Sequence, residues 1–136
     1  MVDYEDVLNY ELCSASLLSL SPQIFKFTYL EEIDFSSNSI EHIPEDLSSF
    51  KFLKSANFSL KQLDLSHNSI HSVIGKVEWT NNTLKTLDLS FNELENIPNF
   101  LMDLLVLEDI QLECNQFRIR RHSLASLYEL KIASTC

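Results

Sequence analysis

The stretch Leu60-Lys61-Gln62-Leu63-Asp64-Leu65-Ser66-His67-Asn68 and its near copy Leu84-Lys85-Thr86-Leu87-Asp88-Leu89-Ser90-Phe91-Asn92 decide the fold. Both fit the template L-x-x-L-x-L-x-x-N, and self-similarity at a regular period marks an architecture of stacked repeats. The template fits again at residues 30–38 (LEEIDFSSN) and 107–115 (LEDIQLECN). Weaker copies stand at 7–15 (VLNYELCSA), which lacks the Asn, and at 127–135 (LYELKIAST), which has Thr in its place. Repeats therefore start near 7, 30, 60, 84, 107 and 127, and the chain reads as a single domain spanning residues 1–136. The frame continues beyond the Asn with Ile40, Ile70, Leu94 and Phe117, then Ile43, Val73 and Ile97, with Pro44 and Pro98 directly after two of these. The interval from Leu30 to Leu60 is longer than its neighbours. The surplus falls at Lys54–Ser59, where a bulging loop is expected.

Within each copy, alternation sends Ile33/Phe35, Leu63/Leu65, Leu87/Leu89 and Ile110/Leu112 to one side of a short strand. No single copy buries that side alone, so neighbours must stack around one continuous core. Stacked strands of this kind form a parallel sheet at about 4.8 Å spacing. Asn38, Asn68, Asn92 and Asn115 close each strand. An amide side chain there satisfies backbone groups where the chain leaves the ladder, so these four read as a structural ladder. The I-P-x-x-L-x-x-L segments then return as short helical or 3₁₀ turns, Pro setting the entry dihedral.

The pattern resembles the leucine-rich repeat family, in the intracellular subtype of 23–24 residues. The resemblance implies a right-handed α/β solenoid, a horseshoe with a parallel concave sheet and short helical or 3₁₀ convex segments. Ile70-x8-Trp79-x4-Leu84 before the Asn92 copy also resembles the repeats of Roco proteins, the leucine-rich-repeat kinases. Nothing in the chain carries their catalysis: G-x-x-x-x-G-K-[ST] is missing, and Gly75 is the one glycine.

Composition narrows the function classes. Ten Lys+Arg against twenty Asp+Glu give a net charge of −10, which argues against wrapping a nucleic-acid backbone. No apolar run approaches the roughly 18–20 residues of a membrane span, and the acidic opening is unlike a signal peptide. Cys13, Cys114 and Cys136 are odd in number and lack metal-ligand spacing, so reduced thiols in a cytoplasmic protein are expected. The sequons at Asn57 and Asn81 are discounted on the same ground.

The strand residues facing away from the core supply the candidate binding surface. Its middle column reads Glu11, Asp34, Asp64, Asp88, Gln111, Lys131, with Glu32 and Asp109 in the column before and Ser66 and Ser90 in the column after. His67 and Phe91 stand one residue further along, as an aromatic anchor beside the acids. Successive carboxylates about 5 Å apart repel, and a partner bringing Lys or Arg relieves that repulsion. The row is too open and regular for a Ca²⁺ cage of six to eight oxygens.

Other constellations read as surface or structure. The basic run Arg118, Arg120, Arg121, His122 has the spacing of a solvated face. His67 and His71 straddle an Asn turn without H-E-x-x-H, no G-x-S-x-G supports a hydrolase, and Trp79 reads as a plug for its linker. No cofactor is expected. The resemblance implies a non-enzymatic protein–protein interaction scaffold that binds a basic partner on its concave, acidic face. The alternative is an architectural segment of a larger Roco-type signalling protein, packed on that protein's own domains. Bare terminal coils make self-association a further expectation.

Overall fold

In the computed structural model, which describes residues 9–20, 30–43, 60–73, 83–104 and 106–118, each repeat enters a short strand in the same direction. The strands are β1 (Asn9–Glu11), β2 (Glu32–Asp34), β3 (His42–Ile43), β4 (Gln62–Asp64), β5 (Ser72–Val73), β6 (Thr86–Asp88) and β7 (Asp109–Gln111). A five-stranded parallel sheet runs β1-β2-β4-β6-β7, and β3 pairs with β5 in a second parallel sheet. Three-residue strands have no independent stability; they persist because each lies against the next coil over a shared core.

The register follows the template. Ile33, Leu63, Leu87 and Ile110 align as one inward row, while Glu11, Asp34, Asp64, Asp88 and Gln111 align as one outward row. The inward row joins Leu30, Leu60 and Leu84, Phe35, Leu65, Leu89 and Leu112, and Ile40, Ile70 and Leu94 in a single buried cluster. Full burial of each such side chain contributes about 1.5–3 kcal/mol, so the repeated leucines supply the main stabilisation. The return segment after Pro98 is a 3₁₀ helix over Asn99–Asp103, and it buries Phe100, Leu101 and Leu104 against that cluster. Pro98, at φ −60°, stands just before it.

Three residues beyond each strand of the five-stranded sheet stands a left-handed residue. Ser37, His67, Phe91 and Cys114 lie at φ 53–57°, in a region that costs a residue with a side chain about 1–2 kcal/mol. Their backbone N–H groups repay part of this by bonding across coils: Ser37 to the Ser66 carbonyl (3.0 Å), His67 to Ser90 (3.1 Å) and Phe91 to Glu113 (2.9 Å). The residue that follows is the template Asn. Asn68 Nδ2 donates to the carbonyls of Phe35, Leu65 and Ser66, while its Oδ1 accepts from the Ile40 N–H. Asn92 repeats the pattern with Leu65, Leu89, Ser90 and Ile70, and Asn115 with Leu89, Leu112, Glu113 and Leu94. The carbonyls of Leu65 and Leu89 thus each accept from two asparagines, one on their own coil and one on the next. Asn38 bonds back to Leu12, Ala15 and Leu17 in the same way.

One cysteine expectation fails. Cys114 is disulfide-bonded rather than reduced, and Cys13 is an exposed free thiol. Odd number and irregular spacing carried the reduced reading, and neither reports which sulfurs the folded chain brings together. The loop expected at Lys54–Ser59, the sixth repeat, Trp79 and the residues Arg120–His122 lie outside the described residues. No helix among the described residues is long and apolar enough to cross a membrane.

Candidate functional site

The outward rows of β1, β2, β4, β6 and β7 line a shallow depression of about 410 Å³. Its walls include Glu11, Glu32, Asp34, Asp64, Asp88, Asp109, Gln111 and Glu113, so the structure brings together all the acidic candidates and Gln111. The reason is the period-two alternation: with the leucines turned in, the intervening acids have only the solvent side left.

The aspartates of the middle row have a local task as well. Oδ1 of Asp34 accepts the Ser36 N–H at 2.7 Å, that of Asp64 the Ser66 N–H at 2.8 Å, and that of Asp88 the Ser90 N–H at 2.9 Å. Asp88 Oδ1 also accepts the Ser90 hydroxyl at 2.6 Å. A carboxylate bonded to the N–H two residues on fixes a turn. The recurring D-x-S pattern in the sequence is the signal for it. Each aspartate therefore spends one oxygen on the strand exit, while its second oxygen has no partner among the described residues.

The cations of the described residues are engaged with other acids. Lys61, Lys85 and Arg118 are the Lys and Arg side chains within the described residues. They pair across neighbouring coils with Glu31 (3.0 Å), Glu108 (3.4 Å) and Glu95 (3.2 Å) respectively. Glu32 accepts a hydrogen bond from Gln62 Nε2 at 3.1 Å, and Asp109 accepts one from Gln111 Nε2 at 2.8 Å. Asp34, Asp64 and Asp88 thus remain half-satisfied carboxylates, with no Lys or Arg paired to them among the described residues.

Ser66 and Ser90 are 6% and 4% exposed, with their backbone N–H groups and the Ser90 hydroxyl bonded to the aspartates, so little of either residue is open on this face. They alternate outward by count and are nevertheless buried, whereas Ser36 and Glu113 at the same template position are half-buried. His67 and Phe91 lie outside the depression, beside its rim, and are exposed. Their rings stack with centroids 4.2 Å apart and planes 11° from parallel.

A second cluster lies on β3 and β5. His42 Nδ1 is 2.7 Å from Ser72 Oγ, the His42 and His71 rings meet edge to face at 4.8 Å, and Glu41 Oε2 is 3.8 Å from His42 Nε2. That last distance exceeds a hydrogen bond, so the carboxylate does not orient the imidazole as a hydrolytic triad requires. Among the described residues, no three His, Cys, Asp or Glu side chains converge to hold a metal.

Short parallel strands, inward leucines, cross-coil asparagines and an open outward face define a solenoid-like repeat protein. The family models agree: residues 56–77 and 80–97 match one described as Leucine Rich repeat, and residues 29–50 match another described as Leucine Rich Repeat. The chain thus carries leucine-rich repeats in these stretches, which contain the copies starting at 30, 60 and 84. No curated protein matches the chain. Repeats of this family generally mediate protein–protein interaction and are typically non-enzymatic.

Proposed function

We propose that the chain is a non-enzymatic protein–protein interaction module that takes a basic segment of its partner on the concave face of a right-handed horseshoe. The observation that carries this reading is the pairing of charges. Asp34, Asp64 and Asp88 align on adjacent strands, each with an unpartnered second oxygen, while Lys61, Lys85 and Arg118 are bonded to other acids. Such an array steers a cationic partner and repels an anionic one. The disulfide at Cys114 weighs against the reducing cytoplasm, because disulfides persist mainly in oxidising compartments. Placement within a larger Roco-type protein has only the sequence window around Trp79 behind it.

The test replaces all three aspartates by asparagine, which keeps the Oδ1 acceptor each turn uses. Binding of lysine- and arginine-rich peptides is then followed by fluorescence anisotropy at low and physiological salt. The reading expects wild type to bind basic peptides in a salt-sensitive way and the triple variant to lose that binding with an unchanged melting transition. Equal binding by both proteins refutes it.

A further inference from the structure

We infer that the His67–Phe91 stack is an unfinished column whose next tier, above Ser37, receives an arginine side chain of the partner; this rests on the basic-partner reading above. Ser37, His67 and Phe91 occupy the same position on successive coils, each directly before its template Asn and each left-handed at φ 55°, 53° and 53°. Equivalent positions on adjacent coils are separated by about one strand spacing, roughly 4.8 Å, which lies within the range of centroid separations of paired aromatic rings. The two rings obey that spacing, at 4.2 Å and 11° from parallel, so they face one another along the direction in which coils repeat. Continued one coil towards β2, the column reaches Ser37. Its side chain is exposed and too small to cover the outer face of the His67 ring. Continued the other way, it reaches Cys114, which is half-buried and disulfide-bonded. The open tier is therefore on the Ser37 side.

The tier is rigid and acidic at its mouth. The N–H groups of Ser37 and His67 are bonded to the carbonyls of Ser66 and Ser90, which fixes the column on both coils. Asp34 holds its Oδ1 on the Ser36 N–H and Asp64 holds its Oδ1 on the Ser66 N–H, so each carboxylate is bonded to the residue just before a column position. A group that fills the tier must be planar to continue the stack and cationic to answer these carboxylates. Guanidinium meets both conditions, since it stacks on rings and pairs with carboxylates in its own plane. The ammonium of lysine has the charge without the plane. Phe91, 45% exposed in a backbone region that disfavours bulky residues, has a use in this scheme as the base on which the His67 ring rests.

The experiment compares one arginine-containing peptide with its lysine-substituted twin, identical in charge, by anisotropy with the disulfide intact. Wild type is expected to prefer arginine by on the order of tenfold. Ser37→Phe puts the chain's own ring in the tier, and the left-handed Phe91 shows that this backbone accepts phenylalanine. That variant should bind both peptides with the affinity wild type shows for the lysine peptide. His67→Ala should remove the preference in the same way, and ring-current shifts of the arginine side-chain protons in NMR spectra should vanish with it. Equal affinity of the twins for wild type, or an arginine preference that survives both substitutions, overturns the inference. Loss of both peptides in the triple Asp→Asn protein, beside an intact comparison of the twins, keeps this failure separate from failure of the acidic-face reading.

Discussion

Replacing Asn68 by alanine tests the ladder that holds the coils together. The side chain makes four hydrogen bonds, and the groups it serves are not equally dependent on it. The Phe35 carbonyl keeps a bond from Asn38 Nδ2, the Leu65 carbonyl keeps one from Asn92 Nδ2, and the Ser66 carbonyl keeps the Ser37 N–H. The Ile40 N–H, in contrast, is left buried with no acceptor. An orphaned buried donor costs about 1–3 kcal/mol, and loss of a second bond to an already bonded carbonyl costs about 0.5 kcal/mol or more. Adding the small void left by the amide, Asn68→Ala should destabilise the protein by roughly 3–4 kcal/mol, a large share of a typical total of about 5–15 kcal/mol. Asn115 makes the same kinds of bond but is only half-buried, so water replaces part of what is lost. Asn115→Ala should cost about 1–2 kcal/mol. Urea denaturation followed by circular dichroism reads both values. A loss below about 1 kcal/mol for Asn68→Ala, or equal losses at the two positions, refutes the reasoning, because each loss orphans one backbone N–H and burial is what separates them.

Two further outcomes follow from the same geometry. Asp88→Ala should cost about 1–2 kcal/mol by stranding the N–H of buried Ser90, whereas Asp88→Asn, which keeps the acceptor, should melt within a few degrees of wild type; thermal melts of the two variants side by side check the difference. Lys61→Ala should change stability by less than about 1 kcal/mol, since the Lys61–Glu31 pair is half-exposed, and its small effect should shrink further in 1 M salt.

The architecture was legible because it is written in periods. Two-residue alternation within Leu63-Asp64-Leu65 assigns faces, and recurrence of the Asn at 38, 68, 92 and 115 assigns the stacking, so both are local in the chain. The sheet register, with Asp34, Asp64 and Asp88 in one row, follows from superposing the copies. What the copies do to one another was not legible. Alternation alone places Ser66 and Ser90 outward, but their burial differs from that of Ser36 and Glu113 at the same template position, and nothing short of φ angles reveals that His67 and Phe91 are left-handed without glycine. The carboxylates read as surface charge in the sequence, whereas in the fold one oxygen of each is bonded to its own turn.

The sequence by itself determined the repeat frame, the leucine core and the outward acidic row, because each depends on residue type at fixed separation along the chain. Only the tertiary structure decided which oxygens stay unpaired, that Lys61, Lys85 and Arg118 are occupied elsewhere, that two rings 24 positions apart stack, and that Cys114 is oxidised. These are relations between different coils, and their distances are fixed by how coils pile rather than by any spacing within one.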